Sequence, residues 1–113
     1  MSLWDCFKPP MGADDDAAPL ISHFTALPRG TTRLGVAGKI MDAAKVRACL
    51  EAGADFVLIG RGAILHHDFP ARCLADPDFA AVATPVTRDH LLAEGLGQAF
   101  VAYMATWPGF VEG

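Results

Sequence analysis

The chain has 113 residues, of which 52% are hydrophobic, with nine basic against thirteen acidic side chains and a formal net charge of −4. That length bounds the answer to one domain, and the acidic balance without a basic stripe excludes a nucleic-acid or polybasic membrane surface. No apolar run approaches the roughly 18 residues of a membrane-spanning helix, and three cysteines at wide spacing give neither a disulfide framework nor a metal motif, so a reducing cytoplasm is the expected compartment.

Residues 1–18 hold Lys8, Pro9, Pro10, Gly12 and the acidic run Asp14, Asp15, Asp16, which predicts a loop without regular period. Three consecutive carboxylates cannot all face one ion, so the run reads as solvated. A short helix is predicted over 19–27, with Leu20, Ile21, Phe24 and Leu27 on one face, His23 on the polar side, and Pro28 and Gly30 ending it.

The centre of the chain is 34–65, LGVAGKIMDAAKVRACLEAGADFVLIGRGAIL. Two apolar runs, 33–37 and 55–59, show no polar alternation, which is the pattern of parallel strands covered on both faces. Between them Ala43, Val46, Cys49 and Leu50 recur at helical spacing, Asp42 suits the N-cap, and Gly53 suits the left-handed stop. The unit is therefore βαβ.

His66 and His67 are adjacent, diverge on either a helix or a strand, and have only Asp68 at ligand spacing, so they read as structural or solvent-facing. A short helix follows over 69–74, begun by Pro70 and closed by Asp76 and Pro77, with Cys73 packed as a small hydrophobe. Residues 80–86 connect to a helix capped by Thr87 and interrupted at Gly95 and Gly97. A last helix places Phe100, Val101, Met104 and Trp107 in one stripe and stops at Pro108 and Gly109. That stripe reads as core or interface, and Tyr103 as packing, with interface contact second. The nucleophile-elbow, zincin and Walker signatures are missing, and Gly35 with Gly38 does not complete a dinucleotide fingerprint.

The functional signal lies at the glycine turns that end both strands, Gly38-Lys39 and Gly60-Arg61-Gly62. Ligands of parallel α/β sheets gather at the carboxyl ends of strands, and glycine lets backbone N–H groups approach an anion closely. A helix starting just after each turn adds a positive dipole end, and Arg61 a forked cation. Two such turns on neighbouring strands predict a phosphate cradle.

The pattern V-A-G-K-I followed about 20 residues later by A-D-F-V-L-I-G-R-G resembles the last two βα units of the Old Yellow Enzyme family, NADH:flavin oxidoreductases built on an FMN-dependent (β/α)₈ barrel. The segment 65–79, with D-F-P and D-P-D-F, looks like the family's stretch after strand eight, and Trp4-Asp5 like the end of its strand six. The resemblance implies that Gly38, Lys39, Gly60 and Arg61 contact the FMN phosphate, with NAD(P)H as the reducing substrate and a small molecule as the other. A whole barrel takes about 250 residues, and the family's flavin-ring and substrate contacts come from its earlier part. The expected fold is thus α/β, a partial TIM barrel of about two parallel strands with flanking helices: loop and helix over 1–33, the phosphate-binding βαβ unit over 34–65, C-terminal helices over 66–113. Alone it is expected to lack catalytic residues and activity and to bind FMN weakly or not at all. Its open edges predict a homo-oligomer or a rearranged fold, and the alternative function is a non-catalytic self-associating or partner-binding module derived from that barrel.

Overall fold

In a computed structural model that describes residues 1–14 and 17–113, the elements are, in chain order, α1 (Leu20–Thr25), β1 (Gly35–Val36), α2 (Ala43–Glu51), β2 (Phe56–Val57), α3 (Arg61–Leu65), α4 (Phe69–Ala75), α5 (Arg88–Ala93) and α6 (Gln98–Met104). Of the acidic run, Asp15 and Asp16 lie outside the described residues.

The βαβ reading holds. β1 and β2 pair in parallel, Gly35 opposite Phe56 and Val36 opposite Val57, with α2 as the crossover. The helix starts where Asp42, in an extended conformation, accepts a 2.7 Å hydrogen bond from the Lys45 N–H, and it stops at Gly53, whose φ of +108° only glycine adopts without strain. Residues 1–3, which carry no strand signal of their own, add a third parallel partner on the other side of β1. The Ala37 N–H donates to the Met1 carbonyl at 2.9 Å, and the Leu3 N–H to the Ala37 carbonyl at 2.6 Å. The order across the sheet is therefore the N-terminal segment, β1, β2.

One face of this sheet is packed and the other is open. Val36 sits in a cluster with Cys6, Ile21, Ile40, Cys49 and Ala54, backed by Val57 and Ile59. On the opposite face Phe56 and Leu58 are 47% and 49% exposed, which corrects the expectation of strands covered on both sides. Period-two alternation puts both residues on the face opposite that cluster. Two predicted helix faces shrink for the same reason. Only Ile21 of α1 is buried while Phe24 and Leu27 stay exposed, and Leu50 of α2 points to solvent.

The C-terminal half builds a second core from Leu65, Val86, Leu91, Val101, Met104, Phe110 and Val111. Thr87 caps α5 as predicted, accepting from the His90 N–H at 3.0 Å. On α6, Val101 and Met104 enter this core, whereas Phe100 and Tyr103, with Trp107 just after the helix, form an exposed aromatic ladder with ring centroids 5.9 Å and 6.0 Å apart. Tyr103 packs only against the neighbouring Phe100 and Trp107 rings and is half exposed rather than in the core, and the stripe splits between core and surface. Among the described residues no helix is long and apolar enough to cross a membrane.

Candidate functional site

The turns after β1 and β2 open onto one cleft of about 630 Å³ at the carboxyl end of the sheet. It is lined by Gly38, Lys39, Gly60 and Arg61 together with Trp4 and Trp107, and Met41, Leu58 and Ile64 add apolar lining. All four residues singled out from the sequence thus lie together. Trp4 and Trp107 were not expected at the cleft: the sequence placed Trp4 only in a strand-end resemblance and Trp107 in a packing stripe, and tertiary packing brings both to its lining.

The two glycines earn their places differently. Gly38 has φ +150°, and a methyl group there would overlap the Leu3 carbonyl oxygen; its own carbonyl accepts from the Cys6 N–H at 3.3 Å and the Cys6 thiol at 3.1 Å. The fold itself requires that glycine. Gly60 has no neighbour within 4 Å of where a Cβ would stand, so no contact inside the protein excludes a side chain, and the bare backbone faces the cleft. That opening is what close approach of an anion to main-chain N–H groups needs.

The donors are present. Among the described residues the N–H groups of Gly38, Lys39, Gly60 and Arg61 reach no backbone carbonyl. Lys39 sits at φ +52°, uncommon for a residue with a side chain, and its ammonium lies 3.7 Å from Asp5 Oδ2. Arg61 makes no ion pair with a described carboxylate; its guanidinium lies over the Trp4 ring, 5.5 Å from the centroid. A guanidinium laid on an aromatic face keeps its in-plane N–H groups available to a phosphate.

The expected dipole contribution is weaker than the sequence implied. α2 starts at Ala43, after Ile40 and Met41, and Asp42 already occupies its N-terminus. α3 does begin at Arg61, but it has only five residues, so its macrodipole is small. What the cleft offers an anion is therefore local N–H groups and Arg61.

Asp68 is not the one carboxylate near the adjacent His66 and His67, as local spacing suggested. Glu94, at the end of α5, accepts from the His67 backbone N–H at 2.9 Å and meets His67 Nδ1 at 2.6 Å. Comparison of the chain with known protein families, curated proteins and solved structures finds no match.

Proposed function

We propose that this chain is the C-terminal part of an FMN-dependent NAD(P)H oxidoreductase of the Old Yellow Enzyme type, in which Gly38, Lys39, Gly60 and Arg61 hold the flavin phosphate and the reacting groups come from elsewhere. One observation carries the reading: two glycine turns on adjacent parallel strands share one cleft with a guanidinium that no described carboxylate neutralises. The arrangement of the sheet supports it. Three parallel segments in sequence order, with one apolar face uncovered, are what the last strands of a barrel present when the rest of the wall is absent.

The residues fit the phosphate end of FMN; bound flavin supplies hydride transfer, and this chain's part is to anchor its phosphate. Flavin titration of the whole chain tests the reading. FMN should bind weakly and riboflavin, which lacks the phosphate, much more weakly still, with Arg61→Ala abolishing the difference. Equal affinity for the two flavins, or an Arg61→Ala chain that still prefers FMN, would overturn it.

The second reading, a self-associating module, is favoured by a separate observation: Trp4, Phe56, Leu58, Phe100 and Tyr103 are large apolar side chains left exposed. The two readings are compatible, since a barrel fragment has such surface to cover.

A further inference from the structure

Away from the cleft, the end of α3 meets α5 in a cluster that phosphate binding does not use. His66 follows α3 directly and is 7% exposed. Its Nε2 accepts from the Val82 N–H at 2.9 Å, which puts the ring hydrogen on Nδ1, and that buried Nδ1 has no partner among the described residues. His90 and Glu94 stand four residues apart on one side of α5. His90 Nε2 lies 2.8 Å from the Leu65 carbonyl and must donate to it, leaving the Nδ1 lone pair unused. One ligand atom from each of His66, His90 and Glu94 lies within 4.8 Å of the other two.

We propose that His66, His90 and Glu94 form a binding site for a borderline divalent cation of the zinc type, and that filling it exchanges the Val82 to His66 hydrogen bond for a metal bond. Two imidazoles and a carboxylate are a donor set zinc takes, with the fourth position left to water. His90 is already oriented as a ligand by donating its other ring hydrogen to a backbone carbonyl, and the His67 N–H groups orient the Glu94 carboxylate. Burial, reinforced by the nearby Arg72 cation, shifts the His66 imidazole below the ordinary histidine range. Arg72 also opposes an incoming cation, but its guanidinium is engaged by Asp68 at 2.8 Å.

Ligation through His66 Nδ1 moves the ring hydrogen to Nε2, with no net proton released. The Val82 N–H then faces another N–H and must turn away. Zinc occupancy is therefore coupled to the connector 80–86, whose Ala81 N–H also holds the Met41 carbonyl at 2.8 Å, and Met41 belongs to the cleft wall.

Zinc chloride titrated into the whole chain by calorimetry, with the ¹⁵N–¹H spectrum followed in parallel, decides the matter. One zinc per chain is expected, with the Val82 amide resonance moving strongly and the His66 ring nitrogens exchanging protonated and unprotonated shifts. His90→Gln and Glu94→Gln should each weaken binding about tenfold or more, and Val82→Pro, which has no N–H to displace, should bind more tightly than the parent chain. No zinc binding, binding unaltered in both ligand variants, or a cobalt-loaded sample with thiolate charge-transfer absorption would overturn the site.

Discussion

Gly38 and Gly60 look interchangeable in the sequence, yet different parts of the physics demand them. At Gly38 a side chain would carry a left-handed backbone and overlap the Leu3 carbonyl, so Gly38→Ala should cost more than about 2 kcal/mol of stability, combining backbone strain with displacement of the N-terminal segment. Gly60→Ala meets open space and should cost less than about 1 kcal/mol. Urea denaturation of both variants checks the ordering, and equal losses would contradict it. The paired cysteines give a pH prediction. Burial, with the Cys6 sulfur alongside, pushes the Cys49 thiol from 9.0 up to about 12, so the folded chain holds that proton more tightly than the unfolded one. Its contribution is intact below pH 9 and is lost as pH rises from 9 toward 12, at up to about 1.4 kcal/mol per pH unit. Denaturation at pH 8 and pH 10 should show a steeper loss in the parent chain than in Cys49→Ala; identical slopes would refute the assignment.

At the scale of elements, what was legible in the sequence is what local chemistry decides. Asp42, Gly53 and Thr87 mark their helix ends through caps and a stop that depend on a few neighbouring residues, and each sits where its residue type requires. The four cleft residues were legible for a related reason: strand-terminal glycines of a βαβ unit meet at one end of the sheet whatever lies around them. Burial was not legible in the same way. Phe24, Leu27, Leu50, Phe56 and Leu58 have the periodicity of a covered face, but periodicity records where a covering element fits and not whether this chain provides one. The histidine cluster was missed because His66 and the α5 pair are distant in sequence, and only the packing of α3 against α5 joins them. The spacing of His90 and Glu94 on one helical face was the available signal, and it carries little weight until a third ligand is placed beside it.

For the whole molecule, the question is what offsets so much uncovered apolar surface. A chain of 113 residues packed as one globule would have a radius of gyration of about 13 Å and, at 12.0 kDa, an accessible surface of about 6,000 Å²; this one has 15.8 Å and 7154 Å². The excess arises because the chain builds two separate cores, one under the sheet and one around α5 and α6, while Phe56, Leu58 and an edge of β2 that no described strand pairs face outward. An open parallel edge beside an apolar face offers backbone donors and buried area together, so a second copy docking there gains both. Light scattering on a sizing column should therefore give a mass at a multiple of 12.0 kDa. Leu58→Lys, which sets a charge on the open face without entering either core, should shift that mass toward the monomer, because burying the ammonium would cost more than the lost contact returns. A parent chain that elutes as a clean monomer would mean that the exposed face is tolerated as it stands. An oligomer that Leu58→Lys leaves intact would move the interface to the aromatic ladder of α6, where Tyr103→Ser becomes the substitution expected to break it.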